Sequence, residues 1–274
     1  GGASSGIYRS PDGGTTWTQV LPGAAGTEVL FDPLNPAVAY AALGTIRGEL
    51  GNGDPDNGVY KSLDGGANWS RVTNTGGVLP TGNAAGRIEL AIAPSSSSTL
   101  YAAVADSSSA SDTLLGMFRT MDSGTTWTQI INPASTPSLD FCKNQCWYDL
   151  VVRVHPNNTS IVYAGGSSTS NFFMRSTDGG TTWTSFATGA NNVRLHVDQH
   201  AMAFGLSSGS AVRLYVGNDG GAWSSDISNA AAPISWTDLN GTLNITQFYP
   251  GHSIHPSNIQ IGFGGTKDNG TQKY

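Results

Sequence analysis

The segment His196-Val-Asp198-Gln-His200 has the residue types best suited to hold a metal ion. Positions i, i+2 and i+4 of a strand point to one face, and we expect this segment to lie on an inner strand of a sheet. Two imidazoles and a carboxylate on a shared face could converge on a metal ion or a ligand. The competing interpretation, which we favour, is that the three side chains hydrogen-bond to neighbouring turns. A metal ion is the one cofactor that the sequence suggests.

A second candidate group is Trp147-Tyr148-Asp149, at the start of another predicted inner strand. An aromatic ring beside a carboxylate can hold the face of a sugar and one of its hydroxyl groups, which makes these residues candidates for ligand binding. The same residues could equally pack the start of a strand. Asp219, in Gly-Asn-Asp-Gly-Gly, is a further ligand-binding candidate, although such a segment, like that around Asp268, is typical of a turn.

Five aspartates belong to a repeated motif, Ser/Thr-x-Asp-x-Gly-x-x-Trp. Four complete copies end at a tryptophan, and in a fifth copy an alanine-rich insertion separates Ser224-Ser-Asp226 from Trp236. The tryptophans follow one another at intervals of 52 to 58 residues, a period typical of repeat architectures. The motif aspartates are Asp12, Asp64, Asp122, Asp178 and Asp226, and the four regular tryptophans are Trp17, Trp69, Trp127 and Trp183.

Each residue type in the motif suits a tight turn between two strands. Glycine accepts a positive φ, and an aspartate carboxylate can accept backbone N–H groups and close the turn. The Ser or Thr two positions earlier can donate to the same carboxylate. The tryptophan begins the next strand and can bury its ring between repeats. We therefore expect structural aspartates, which are not catalytic, and four tryptophans in equivalent buried positions.

Each motif lies in a unit of four short strands. An aromatic strand such as Gly58-Val-Tyr-Lys61 precedes the motif, two strands joined by a turn lie upstream, and the fourth strand begins at the tryptophan. Four strands per unit of about 50 residues predict an all-β chain that forms a β-propeller, with about five blade units present. We favour a larger propeller over a closed five-bladed ring. The units span roughly 1–22, 27–73, 86–131, 147–188, 195–240 and 245–274.

The composition argues against some classes of partner and indicates the cellular compartment of the protein. The formal net charge is -6 and no cluster of basic residues occurs, which argues against a nucleic-acid partner. No apolar run approaches the roughly 20 residues that would insert in a membrane. We expect Cys142 and Cys146 to form a small-loop disulfide, with two free thiols as the alternative. A disulfide indicates an oxidising compartment, so the protein is expected to be secreted, extracellular or at a cell surface.

These repeats resemble the Asp-box, or BNR-repeat, propellers of the sialidase-like superfamily over essentially the whole sequence. The later part, including His196-Val-Asp198-Gln-His200, is most similar to large secreted bacterial BNR-repeat proteins. The resemblance implies the propeller fold but little about function, because the superfamily includes sialidases, xyloglucan-cleaving glycosidases and sortilin-type receptors. A sialidase would need an arginine cluster, whereas Arg9, Arg119 and Arg175 occupy one repeat position and indicate blade structure.

We therefore expect an extracellular binding or scaffold propeller that recognises carbohydrate or protein. The alternative is a glycoside hydrolase or lyase of the Asp-box propeller type. The resemblance implies that the two acids of a xyloglucan-cleaving enzyme come from two propellers, so part of such an active site would lie outside this segment. Whether the chain is an enzyme is left open by its sequence, and a glycoside hydrolase is the expected class if it is one.

Overall fold

The computed structural model of the protein describes residues 5–46, 54–107, 112–206, 211–229, 232–243, 248–255, 257–267 and 270–273. The described residues form β-strands joined by turns and by short 3-10 helices at Gly82–Ala84, Pro137–Leu139, Lys143–Gln145 and Asn240–Thr242. None of the helices in these ranges is long and apolar enough to cross a membrane. The chain is therefore all-β, as its sequence predicts.

The strands form a series of antiparallel sheets in which neighbours in the sheet are also neighbours in the chain. A two-stranded sheet comes first, with β1 (Gly6–Arg9) and β2 (Thr18–Pro22). Four four-stranded sheets follow: β3 (Ala25–Asp32), β4 (Asn35–Gly44), β5 (Gly58–Ser62) and β6 (Ser70–Arg71); β7 (Ala85–Ile92), β8 (Leu100–Asp106), β9 (Leu114–Thr120) and β10 (Thr128–Ile131); β11 (Val151–Val154), β12 (Val162–Gly165), β13 (Phe173–Ser176) and β14 (Thr184–Ser185); β15 (Gln199–Leu206), β16 (Val212–Asn218), β17 (Gly221–Asp226) and β18 (Thr237–Asp238). The last sheet has three strands, β19 (Phe248–His255), β20 (Asn258–Thr266) and β21 (Gly270–Lys273).

The four-stranded sheets are the blades of a β-propeller. The first strand of each blade contacts the first strand of the next, in the order β3, β7, β11 and β15, so these strands are the inner ones. Each blade runs outward from there as a simple up-and-down meander, which is the topology of a propeller blade. Residues at the beginning of different inner strands consequently come close together although they are about 60 residues apart in sequence.

The core lies between consecutive blades. Strand β8 is buried along nearly its whole length, because one face packs against the preceding blade and the other against the following blade. A strand covered on both faces has a continuous apolar sequence without polar alternation. Three of its seven residues are alanine, and such small side chains let the two neighbouring blades approach closely.

The repeated motif closes the turn between the third and fourth strand of each blade. Asp122 Oδ1 accepts hydrogen bonds from Thr120 Oγ1 (2.8 Å) and the Thr126 N–H (2.8 Å), and its Oδ2 accepts one from Thr126 Oγ1 (2.6 Å). The bonds from Thr126 lower the pKa of Asp122 to about 2, so the carboxylate stays ionised. Gly124 follows with φ +92°, a conformation that favours glycine. Corresponding bonds occur at Asp12, Asp64 and Asp178.

The fifth copy of the motif uses different partners. Asp226 accepts hydrogen bonds from the Ser228 N–H (2.9 Å) and its Oγ (2.6 Å), and these bonds lower its pKa. Trp236 is buried, and its indole donates to the Phe186 carbonyl of the preceding blade (2.8 Å). Trp236 therefore lies at the interface between blades despite the inserted segment.

The four regular tryptophans share one hydrogen bond but not one degree of burial. Each indole N–H donates to the carbonyl of the motif glycine, two residues after the aspartate, at 3.0 to 3.2 Å. Trp127 is 4% exposed, whereas Trp17 is 63% exposed, and the other two are half-buried. The prediction of equal burial is therefore wrong for Trp17. The reason is that these rings pack against the preceding blade, and no blade precedes β1 within the described ranges.

Basic side chains just before the motif donate to backbone carbonyls of the next blade. Three of them donate to the carbonyl at the same motif position, whereas Arg175 donates to the Ala232 carbonyl in the inserted segment (3.1 Å). The three pairs are Arg9 and Gly65 (3.0 Å), Lys61 and Ser123 (3.3 Å), and Arg119 and Gly179 (2.8 Å). The arginines that recur at this repeat position therefore connect blades in succession and do not form a cluster.

Candidate functional site

A disulfide loop introduces the segment with the aromatic and acidic candidates. Cys142 and Cys146 are bonded to each other, with their Cα atoms 4.9 Å apart, around the 3-10 turn Lys143–Gln145. The Gln145 carbonyl accepts hydrogen bonds from the N–H groups of Tyr148 (2.8 Å) and Asp149 (2.7 Å). These bonds fix the segment so that Tyr148 is 54% exposed while Asp149 is only 1% exposed.

His200 joins two of the predicted ligand-binding carboxyl groups. Its Nε2 lies 2.6 Å from Asp219 Oδ1, and its Nδ1 lies 3.3 Å from Asp149 Oδ1. Asp219 occupies the turn between β16 and β17, and its other oxygen lies 3.2 Å from Lys267 Nζ. Asp198 completes the group, because its carboxyl shares a hydrogen bond with Asp149. We call Asp149, Asp198, His200 and Asp219 the His200 cluster.

The strand geometry expected for His196, Asp198 and His200 is not observed. Strand β15 begins at Gln199, so only His200 lies on it, and Asp198 has φ +64°, which interrupts the extended backbone. His196 instead lies against Gly220, with its Nδ1 3.1 Å from the Val197 carbonyl. The three side chains therefore do not share the face of one strand.

A metal ion could bind where three ligand atoms lie close to one another. In the described ranges, the group with three potential ligand atoms within 4.8 Å of one another is Asp140, Cys142 and Cys146. Its two sulfur atoms are bonded to each other in the disulfide, so they do not offer thiolates. The predicted metal residues His196, Asp198 and His200 do not form such a group. His200 Nδ1 and Nε2 face two different carboxyl groups, an arrangement suited to proton sharing.

Asp149 is a buried acid of the cluster with a raised pKa. Burial, the negative charges of Asp198 and Asp219 and the hydrogen bond with Asp198 together raise its pKa to about 7, against the smaller opposing effect of Arg87. Its Oδ1 is buried and has no hydrogen-bond donor in the described part of the chain, although His200 lies at ion-pair distance. Near neutral pH this carboxyl can therefore both donate and accept a proton.

The aromatic candidates form one side of the site. The rings of Trp147 and Tyr148 are 5.3 Å apart, and the Tyr148 ring meets the His200 ring edge-on at 5.0 Å. The indole N–H of Trp147 is buried and has no acceptor within the described ranges. Tyr148 thus presents a solvent-accessible ring directly beside the His200 cluster. The predicted residues Trp147, Tyr148, Asp149 and Asp219 are brought together, whereas Asp268 lies outside the described residues.

Sequence reasoning missed four charged residues on the inner strands: Glu28 on β3, Arg87 and Glu89 on β7, and Arg153 on β11. Glu89 is buried between Arg87 NH2 (3.2 Å) and Arg153 NH1 (2.9 Å). Burial and then the charge of Glu89 raise the pKa of Glu28 to about 7, and burial raises the pKa of Glu89 itself. The available signal was a charged residue at alternate positions of an otherwise apolar strand, which places both side chains on one face.

Cavities of about 360 and 290 Å³ lie elsewhere in the molecule. The larger is formed by two consecutive motif turns and is lined by Lys61, Asp64, Arg71 and Ser123, among others. No residue of the His200 cluster lines either cavity. The His200 cluster is the stronger candidate site, because it combines a buried carboxyl group of raised pKa, Asp149, with an exposed aromatic ring, whereas the acid in the larger cavity, Asp64, is held in its motif turn.

Comparison with solved structures identifies the fold. A GH74 enzyme from Niastella koreensis aligns with a TM-score of 0.58 and 22% identity, over 96% of this chain and 38% of that one. The GH74 xyloglucanase from Xanthomonas campestris aligns with a TM-score of 0.59 and 19% identity, over 99% and 41%. An ancestral GH74 enzyme aligns with a TM-score of 0.52 and 16% identity, over 95% and 32%.

These similarities show a β-propeller fold, and the chain spans about two fifths of the length of the first two structures. No protein-family model matches the sequence, and no curated protein matches it. Function must therefore be argued from the site.

Proposed function

We propose that this chain binds carbohydrate at the site formed by Tyr148 and the His200 cluster. The observation that carries the proposal is the exposed Tyr148 ring in edge contact with His200, which itself lies between two carboxyl groups. A flat exposed ring can cover the apolar face of a sugar, while carboxyl and imidazole groups beside it bond to hydroxyls. The backbone of Tyr148 and Asp149 is held by the Gln145 carbonyl and by the Arg87 side chain, so the site is largely formed before a ligand arrives.

Two further observations support an extracellular carbohydrate-binding role. The disulfide between Cys142 and Cys146 suits a protein that is secreted or exposed at a cell surface. The motif turns and the similarity in fold to GH74 structures favour membership of the Asp-box propellers of the sialidase-like superfamily. We therefore prefer a carbohydrate ligand to a protein partner for this site.

A glycan array with the full-length protein tests this proposal. We expect the wild-type protein to retain a related set of oligosaccharides and the His200→Gln variant to lose them. Asp178→Asn, a change in a motif turn, is the matched control and should lower the melting temperature while binding persists. Binding to no glycan, or equal binding by His200→Gln, would contradict carbohydrate recognition at this site.

A second candidate function is glycoside hydrolysis or cleavage by a lyase, with part of the active site supplied from outside this segment. It is favoured by Asp149, whose raised pKa of about 7 keeps a fraction of this buried acid protonated at neutral pH. A protonated acid and a second carboxyl group, here Asp219, are the two groups that most glycosidases use.

Enzymatic activity can be tested by incubating the full-length protein with xyloglucan and other plant and bacterial polysaccharides and measuring new reducing ends. Hydrolysis that disappears in Asp149→Asn would support the enzyme. Binding on the array without any product would favour the binding protein.

A further inference from the structure

We propose that Arg87 is a positioning residue of the candidate site, holding the segment of Tyr148 and Asp149 from the neighbouring blade. This inference rests on the proposed function of that site. Arg87 lies on β7, whereas the segment precedes β11 of the next blade. Its NH1 donates to the Tyr148 carbonyl, and its NH2 donates to the Leu150 carbonyl at 3.1 Å.

The two accepting carbonyls lie on either side of Asp149 in the chain. The guanidinium group is a rigid planar fork of donors, so it can hold two acceptors in a fixed relation, which the single ammonium of a lysine cannot. The N–H groups of Tyr148 and Asp149 are already held by the Gln145 carbonyl of the disulfide loop. The segment is thus fixed from both sides, through its N–H groups by its own blade and through its carbonyls by Arg87.

Arg87 is itself oriented by an ion-pair chain that crosses between the blades. Its NH2 lies 3.2 Å from Glu89 Oε2, two residues along β7, and Glu89 Oε1 lies 2.9 Å from Arg153 NH1 on β11. The Glu89 side chain is only 5% exposed, so its carboxylate has little water to replace these partners. Two guanidinium groups on one buried carboxylate form charge-assisted hydrogen bonds that restrict the Arg87 fork to one direction.

The position of this segment determines the geometry of the site. The Tyr148 ring contacts the His200 ring edge-on at 5.0 Å, and Asp149 Oδ1 lies 3.3 Å from His200 Nδ1. Both distances depend on the backbone that Arg87 holds. Loss of the fork should therefore displace the ring and the carboxyl relative to His200.

Nuclear magnetic resonance of histidine-labelled protein tests the positioning role without any ligand. The chain has five histidines, so few signals must be resolved, and His200→Gln identifies the signal of His200. Tyr148 lies against the His200 ring, so its ring current changes the chemical shifts of the carbon-bound protons of His200. The Tyr148→Ala variant gives the chemical shifts of these protons without the ring current. We expect Arg87→Gln to move the His200 signal toward the Tyr148→Ala position and Arg87→Lys to restore only part of the shift.

The matched control is Arg119→Gln, which removes an arginine that also donates to a backbone carbonyl of the following blade, at Gly179. We expect this control to leave the His200 signal in place. If Arg87→Gln does not fold, Glu89→Gln removes the anchor of Arg87 and should shift the signal in the same sense.

An unchanged His200 signal in folded Arg87→Gln, or in folded Glu89→Gln where Arg87→Gln does not fold, would overturn the positioning role. An equal change in Arg119→Gln would overturn it too. Because no ligand is present, a negative glycan array would leave this result unaffected, so failure of the inference and failure of the proposed function remain distinguishable.

Discussion

Replacement of two equivalent tryptophans, Trp127→Ala and Trp17→Ala, should destabilise the protein to very different extents. Both side chains occupy the same motif position, and both indoles donate to the carbonyl of the motif glycine, at 3.2 and 3.1 Å. Loss of that hydrogen bond is therefore common to the two variants. What differs is burial, because Trp127 is 4% exposed in the interface with the preceding blade and Trp17 is 63% exposed.

The expected magnitudes follow from the buried area. Complete burial of an aromatic side chain removes about 150 to 250 Å² from water, and this area contributes about 4 to 6 kcal/mol. Trp127 realises nearly all of this contribution, and a truncated core tryptophan typically costs about 3 to 5 kcal/mol. Trp17 realises about a third as much, and the compact unfolded chain reduces the figure further, so we expect less than about 2 kcal/mol.

Thermal and urea unfolding of the 274-residue chain at pH 7 would measure both variants against the same chain without a substitution. At about 2 to 4 °C per kcal/mol for a chain of this size, Trp127→Ala should lower the melting temperature by about 10 °C and Trp17→Ala by a few degrees. Equal losses would refute the conclusion that the tryptophan acts through packing against the preceding blade. They would point instead to the shared hydrogen bond within the turn.

Three further results are expected. Because the folded pKa of Asp149 is raised to about 7 from 3.8, its contribution to stability is complete below pH 3.8 and is lost as pH rises through 7. Asp149→Asn should therefore flatten the fall in melting temperature between pH 4 and 8. Arg119→Ala should lower the melting temperature by removing the bond to the Gly179 carbonyl, whereas Thr128→Ala, at an exposed position of the outer strand β10, should change it little. Thiol labelling of the native, unreduced protein should find neither Cys142 nor Cys146 free.

The blade architecture could be predicted because the sequence of each repeat contains the residues that form its own turn and strands. Four motif copies place glycine, aspartate and tryptophan at fixed intervals, and the turn at Asp122 uses the hydrogen bonds that those residue types suggest. The degree of tryptophan burial could not be predicted from the motif, since it depends on a neighbouring blade. Trp17 and Trp127 occupy the same position of the motif and differ in exposure for that reason.

The site was predicted in its components but not in its geometry. The sequence indicates Asp149 and Asp219 as separate candidates, and the fold brings Asp149, just before β11, and Asp219, in the turn between β16 and β17, to opposite nitrogens of His200. The alternation rule failed for Asp198 because its backbone has φ +64°. The alternating charges of β7 mark Arg87 but do not reveal its partners, because these are backbone carbonyls 61 and 63 residues away in the chain.

Isothermal titration calorimetry with the best oligosaccharide from the array tests carbohydrate binding at this site most directly. The comparison is between wild type, Tyr148→Ala and Tyr215→Ala, because Tyr215 is another partly exposed tyrosine, on β16, that belongs to neither the His200 cluster nor its aromatic side. We predict that Tyr148→Ala weakens binding at least about tenfold, a loss of about 1.4 kcal/mol, while Tyr215→Ala binds as the wild type does. Equal affinity of Tyr148→Ala and wild type would contradict sugar recognition by this ring.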